Sequence, residues 1–306
     1  MLEKAMSYDV IVIGGSFAGQ SAALQLARAR QKVLLVDAGQ PRNRFAGASH
    51  GFLGQDGQAP QAIIAEASRQ LLAYPTAEIL HGEVLEVEGR KDDFTVTLAG
   101  GERRRARRLI LATGVADELP AIPGLAERWG ATVLHCPYCH GYEVRDQSLG
   151  VIANHPMSAH QAALIPDWGP TTYFTQGRFE PDQAEVERLE VRGVVIERSP
   201  VVAVLGNAPE IEAVRLADGR EVRVAAIFTA PRTRMVAPIA RQLDVAFGEG
   251  PTGPFIQVDD WGLTSVDGVY AAGDAARSMH NATLASASGV LAGVGAHQSL
   301  MRTSSG

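Results

Sequence analysis

The sequence predicts an α/β chain of two three-layer units, each built on a parallel sheet, with the second unit inserted in the first. Three observations predict it. A strand, glycine turn, helix and second strand fill Asp9–Asp37; the same plan recurs from Ser148; and a strand with a small-residue turn, Gly268–Asp274, resumes the first plan near the end of the chain. The boundaries that follow are 1–115 with 249–306 for the first unit and 116–248 for the insertion.

Asp9-Val10-Ile11-Val12-Ile13 is a short continuous apolar run rich in β-branched residues, as a strand buried on both faces requires. It runs into Gly14-Gly15-Ser16-Phe17-Ala18-Gly19, then a helix-forming stretch, Gln20–Arg30, and a second strand, Lys32–Val36, ending at Asp37. Gly14 permits the tight turn, Gly19 permits close packing of helix on strand, and the helix N-terminus presents N–H groups to a pyrophosphate. Asp37 stands 18 residues past Gly19 and suits a ribose hydroxyl. Ser16 replaces the middle glycine of this Rossmann-like fingerprint; its small side chain still fits and can donate a hydrogen bond.

Farther along, Leu109-Ile110-Leu111-Ala112-Thr113-Gly114 is a strand ending in a glycine turn, and Pro120 with Pro123-Gly124 marks a hinge. Ser148–Ile152 reads as a strand, Pro156 to about Ile165 as a helix, and Thr171–Thr175 as the next strand. Asp218-Gly219 is a hairpin turn between alternating segments. The chain is expected to cross back around Phe247–Gly253, and His280-Asn281-Ala282-Thr283 precedes a small-residue helix, Leu284–Gly295. The basic run Arg103–Arg105 with Arg107 and Arg108 reads as a solvated hairpin ahead of a buried strand, and Ser304–Gly306 as a frayed tail.

The 306 residues carry 28 basic and 34 acidic side chains, a formal charge of −6, which argues against a nucleic-acid or anionic-membrane partner. No apolar run reaches the length of a membrane span, and Met1–Asp9 lacks the pattern of a signal peptide, so a cytoplasmic protein is expected. The only two cysteines form Cys136-Pro137-Tyr138-Cys139. In a reducing compartment, beside βαβ units, such a pair points to reversible dithiol chemistry rather than a permanent crosslink. Zinc would need four ligands, and His135 and His140, as immediate neighbours, seldom converge with the thiols on a tetrahedron. Cys136–His140 also matches the haem-attachment spacing, but that chemistry expects an export signal.

The Gly14–Gly19 turn, the Leu109–Gly114 strand and the Gly268–Asp274 strand, with the cysteine pair between them, resemble the FAD domain of the pyridine-nucleotide disulfide oxidoreductases. Over almost its whole length the chain is similar to low-molecular-weight thioredoxin reductase-like flavoproteins. The resemblance implies bound FAD, with Asp274, after Gly273, at the flavin ribitol and Ala112-Thr113-Gly114 at the exit to the second domain. It places Gly14, Ser16, Phe17, Ala18, Gly19, Asp37, Arg42, Arg44, Val84, Asn281 and Ala282 at the cofactor, and brings His50 and Gly51 toward the ring system. The helix after Asn281 would point its positive end at the flavin pyrimidine. A homodimer is implied by the family alone.

The inserted unit corresponds to the family's NADPH domain, but its turn has lost the fingerprint. Gly14, Ser16 and Gly19 correspond to Ala153, His155 and Ser158; sliding by one offers Asn154, Pro156 and Ala159. The next strand ends in Thr175-Gln176-Gly177-Arg178, one arginine where a 2′-phosphate asks for several. NADPH is therefore a doubtful cofactor, the alternative being a divergent loop that binds nucleotide weakly. Where thioredoxin reductases carry an acid after the second cysteine, this chain has His140, whose pKa near neutrality suits proton exchange with a thiol. Cys-Pro-Tyr-Cys-His-Gly-Tyr-Glu resembles the dithiol-oxidase branch, which closes dithiols of gliotoxin- and holomycin-type metabolites and hands electrons to oxygen. By that resemblance Cys139 faces the flavin, Cys136 exchanges with substrate, a helix starting at the motif lowers a thiol pKa, and His140 is the acid/base; His135 is structural. The rivals are an NADPH- or ferredoxin-dependent reductase of thioredoxin or small disulfides, and a flavin-binding sensor without turnover.

Overall fold

The computed structural model describes residues 7–301. The readings of residues 1–6 and of the Ser304–Gly306 tail fall outside them. The apolar run of the first strand, Ser7–Ile13, sits in mid-sheet because it has parallel partners on both sides: Ile11 lies opposite Leu34 of Val33–Asp37 and opposite Leu109 of Arg103–Leu111. All three side chains are fully buried. Ala77–His81 extends the sheet beyond Val33–Asp37, again in parallel.

Strand Arg103–Leu111 explains its own mixed composition. Its basic first half, Arg103–Ala106, pairs antiparallel with Asp93–Leu98, which pairs in turn with Val84–Arg90; its apolar second half, Leu109–Leu111, pairs parallel with Val269–Ala271. The hairpin expected there is present, yet the run is not solvated throughout. Arg108 is fully buried: its guanidinium donates to Asp92 Oδ1 at 2.8 Å, to Ser299 Oγ at 2.7 Å and to the Ser299 carbonyl at 2.8 Å. The charge is tolerated because each guanidinium nitrogen donates a hydrogen bond, one of them to a carboxylate, and it ties the strand to the C-terminal helix.

That helix runs over Ala282–Met301, longer than the expected Leu284–Gly295. Its small residues let it lie directly against helix Phe17–Arg28: a Cβ at Gly289 would fall 2.1 Å from the Ala18 carbonyl oxygen, and one at Gly293 would fall 2.7 Å from that of Ala22.

The chain divides into two compact units. The first takes the residues up to Arg44, Gln61–Ala116 and those from Arg234 onward; the second takes Phe45–Pro60 and Asp117–Thr233. This differs from the expected division in two places. Phe247–Glu249 and Pro254–Ile256 form an antiparallel hairpin of the first unit rather than a crossing, since Ile239, Ala240, Val245 and Ile256 are buried with Val84 and Val87 in that unit's core. The crossings are instead made along Val115–Glu118 and Arg232–Met235, which form a two-stranded sheet. The second difference is the segment Phe45–Pro60, which groups with the insertion.

The second unit carries a five-stranded parallel sheet in the order Val195–Glu197, Thr171–Phe174, Leu149–Ile152, Ala226–Phe228, Val133–Leu134. Leu149 and Val151 join one buried cluster while Ile152 joins another, so the central strand is covered on both faces. Helices Ser158–Leu164 and Gln183–Val191 flank it, the latter closed by a reciprocal Asp182–Glu185 capping box. Val201–Leu205, Ala213–Leu216 and Glu221–Val222 make a small antiparallel sheet, with the expected turn at Asp218-Gly219.

A candidate dinucleotide turn and a candidate dithiol site

In the first unit, the chain turns from strand into helix through contacts that only glycine allows. Gly14 has φ +107°, and a Cβ there would lie 2.2 Å from the carbonyl oxygen of Ala112. A Cβ at Gly19 would lie 1.8 Å from the Gly14 carbonyl oxygen. Gly15, which the fingerprint reading passed over, is as constrained: its Cβ would meet the Asp37 side chain at 2.5 Å. Its N–H donates to Asp37 Oδ1 at 3.2 Å, and Gly39 N–H donates to the same oxygen at 3.1 Å, so the carboxylate is fixed at the end of its strand. Ser16 caps helix Phe17–Arg28 by position but makes no side-chain bond to it, which leaves the helix end to an anion. A cradle that a Cβ would fill, a helix end without a side-chain cap and a fixed acid fit the pyrophosphate and ribose of a dinucleotide such as FAD.

Other expected cofactor residues fall as follows. Arg42 and Asp274 meet each other, Arg42 Nη1 lying 2.9 Å from Asp274 Oδ2. Arg44 donates to the carbonyl of Pro41 at 3.0 Å. Ala112 N–H donates to the Ile13 carbonyl, pinning the strand end under the glycine turn, and Gly114 takes φ +66° just past Thr113. Gly273, at φ +73°, donates to Ser288 Oγ. Asn281 Oδ1 accepts from Thr283 N–H at 2.8 Å and from Leu284 N–H at 3.4 Å, so its side chain caps the helix that begins at Ala282. Val84 is buried in the core of the first unit. His50 and Gly51 belong to the segment that groups with the second unit.

The corresponding turn of the second unit is closed by its own side chains. The hydroxyl of Ser158, fully buried, accepts from Asn154 N–H and from His155 N–H, both at 3.2 Å. His155 Nδ1 accepts from Met157 N–H at 3.1 Å, and the His155 carbonyl accepts from Ser158 N–H at 2.9 Å. The N–H groups of Asn154, His155, Met157 and Ser158 are thus all bonded within the turn.

The same helix serves the cysteines. Gln161 Nε2 donates to the carbonyl of His135 at 2.8 Å, fixing the residue before the dithiol turn. Cys136 and Cys139 are joined as a disulfide with Cα atoms 5.3 Å apart, and Cys139 N–H donates to the Cys136 carbonyl at 3.2 Å. The helix expected here is a single turn, Pro137–His140, with Cys136 as N-cap. Trp168 packs edge-on against Tyr138, centroids 5.6 Å apart, and fills the space over Gly141, where a Cβ would lie 2.8 Å from the indole. Tyr138 and Tyr142 stand exposed on this turn.

Burial pushes the His140 imidazole below its ordinary value; nearby Glu143 pulls it back up and His50 pushes it down further. His50 Nε2 lies 3.5 Å from Glu143 Oε1, and His50 Nδ1 lies 3.7 Å from Asp56 Oδ1. Sequence reading missed this pair because the two residues are far apart in the chain and neither lies in a periodic element. It also missed Gln161 and Trp168, for which no local signal existed. Among the described residues no group of three or more His, Cys, Asp or Glu side chains is placed to hold a metal, and no helix is long and apolar enough to cross a membrane.

The model of the pyridine nucleotide-disulphide oxidoreductase family matches residues 8–153 and 178–289. The thioredoxin reductase sirT of Leptosphaeria maculans is 32% identical over 309 residues, covering 94% of this chain and 93% of its own. Among solved structures, an oxidoreductase from Agrobacterium tumefaciens is 50% identical with a TM-score of 0.93, covering 97% of this chain and 99% of its own. The structure of HlmI is 38% identical with a TM-score of 0.88, covering 96% and 92% respectively. A glycine cradle for a dinucleotide, a joined Cys-x-x-Cys and these likenesses agree: the chain belongs to the pyridine nucleotide-disulphide oxidoreductase family, as a thioredoxin reductase-like flavin disulfide oxidoreductase.

Proposed function

We propose that the chain oxidises substrate dithiols to disulfides, with oxygen as the final electron acceptor and hydrogen peroxide as the second product. The observation that carries this reading is the second-unit turn, whose N–H groups are taken up by Ser158 and His155. A turn bonded in this way supports a flavoprotein that draws its electrons from a dithiol rather than from NADPH.

A substrate thiolate attacks Cys136 Sγ, the Cys136–Cys139 bond breaks, and Cys139 leaves as a thiolate. The second substrate thiolate then attacks the substrate sulfur of the mixed disulfide, and the Cys136 thiolate departs as the product disulfide forms. Two protons are released from the substrate: His140, one residue past Cys139 and pushed toward its neutral form by burial, accepts one, the other passes to water, and two are taken up again as oxygen becomes peroxide. The exposed rings of Tyr138 and Tyr142 flank the turn and offer an apolar face to a small substrate. FAD, which the Gly14–Gly19 cradle, Asp37, Arg42 and Asp274 would hold, supplies the two-electron couple that carries reducing equivalents from the cysteine pair to oxygen.

The test is anaerobic mixing of the yellow holoprotein with dithiothreitol, followed by admission of air. Bleaching by the dithiol, recovery in air and about one peroxide per dithiol are expected from the stoichiometry. Rapid bleaching by NADPH overturns the oxidase reading in favour of a reductase. Failure of dithiols to bleach the flavin at all removes the relay.

A further inference from the structure

The segment Phe45–Pro60 lies between two stretches of the first unit in sequence, yet it groups with the unit that carries the cysteines. It is tied into a defined shape. Ser49 N–H donates to the Gln58 carbonyl at 2.8 Å, Gly57 N–H to the Ser49 carbonyl at 2.9 Å, and Gly51 N–H to Asp56 Oδ1 at 2.8 Å. Its glycines 51, 54 and 57 all take positive φ, so the shape is written into the sequence. What the loop delivers is His50, set between two carboxylates: Glu143 at 3.5 Å and Asp56 at 3.7 Å. These are charge-pairing distances, longer than a strong hydrogen bond. The His50 side chain is 23% exposed, whereas Asp56 is 71% exposed.

We propose that Glu143 and His50 are opposed positioning residues for the proton step at His140: the carboxylate holds a transferred proton on the imidazole, and the histidine brought in by the separate loop weakens that hold. The inference rests on the reading of His140 as the proton acceptor. It is carried by placement. Glu143 lies three residues past His140 on the dithiol turn, and His50, from the Phe45–Pro60 loop, comes within 3.5 Å of that carboxylate. Glu143 and His50 are the charged groups that act on the imidazole, and Asp56 lies 3.7 Å from His50 Nδ1; Arg145 is drawn aside over the Tyr142 ring, 4.1 Å from its centroid. While joined, the cysteines add no charge; once the bond opens, the Cys139 thiolate acts in the same sense as Glu143. Inside a partly buried site such charges are screened less than in water. Lying 3.5 Å from the Glu143 carboxylate, His50 sets how much of that carboxylate's charge reaches His140.

A base works in its neutral form, so the rate falls as pH drops through its pKa. Removing Glu143 lowers the proton affinity of His140 and moves the acidic limb to lower pH; removing His50 raises it and moves the limb to higher pH. The experiment is anaerobic stopped-flow reduction of the flavin by dithiothreitol, across pH, for the holoprotein and Glu143→Gln, Glu143→Asp, His50→Gln and His140→Gln. Opposite displacements by Glu143→Gln and His50→Gln, with Glu143→Asp keeping the parent limb, are expected. Limbs that move together or stay fixed, while His140→Gln loses the limb, overturn the opposed pair and leave His140 as the base. A His140→Gln profile with the parent limb overturns the His140 reading itself. If His50→Gln fails to retain flavin, Glu143→Gln alone decides, since that side chain is 41% exposed: a limb that moves upward or not at all overturns the proposal.

Discussion

The two strand-to-helix turns start from the same plan and end as different objects. At Gly14–Gly19 side chains are absent where they would collide, and the helix end carries no side-chain cap. At Ala153–Ser158 a buried serine and a histidine have grown into the equivalent space and taken the backbone donors for themselves. The difference teaches that a Rossmann-like turn binds phosphate through what it leaves unbonded. In the second unit two side chains tie the turn to itself, and the helix that follows holds the dithiol turn through Gln161.

The comparison breaks first at Gly19. Gly19→Val would drive a side chain into the Gly14 carbonyl, 1.8 Å from the Cβ position, so the protein is expected to lose its yellow colour and about 1–3 kcal/mol or more of stability. Flavin absorbance per chain and thermal unfolding check both. Ser158→Ala comes next. It leaves the N–H groups of Asn154 and His155 without their common acceptor, at a cost of about 1–3 kcal/mol, while flavin content stays at the parent level. Flavin loss in that variant would show that the two turns are not independent. Gln161→Leu is the mildest: loss of one bond to the His135 carbonyl should cost about 1 kcal/mol and slow reduction by dithiothreitol without changing flavin content. An unchanged rate would mean that this bond does not steady the cysteines.

The first unit was legible because its signals are local. The run Val10–Ile13, the glycines and Asp37 lie within one βαβ stretch, and the structure puts them where period and spacing said. The helix Ala282–Met301 was under-read at both ends, since alanine and glycine give no amphipathic period and its purpose is close approach to another helix. Arg108 was misread within a charge run because its partners, Asp92 and Ser299, are supplied by the fold. The candidate site divides the same way. Cys136, Cys139 and His140 stand in one motif, but the charges around His140 come partly from Phe45–Pro60, a loop with no hydrophobic pattern to reveal its allegiance. The crossing near Arg234 was hidden for the opposite reason: the glycine-rich stretch at Gly248–Gly253 looks like a linker, and only Ile239, Val245 and Ile256 in the first core show that the chain has already returned.

The allegiance of Phe45–Pro60 also bears on how such proteins can be recombined. Cutting at Asp117 and Thr233 lifts out one continuous piece with both cysteines, His140 and Glu143, and leaves His50 and Asp56 behind on the host. A chimaera assembled that way between two relatives would mate a dithiol turn with a foreign loop. The graft that keeps the charges matched must move two separate stretches of the gene.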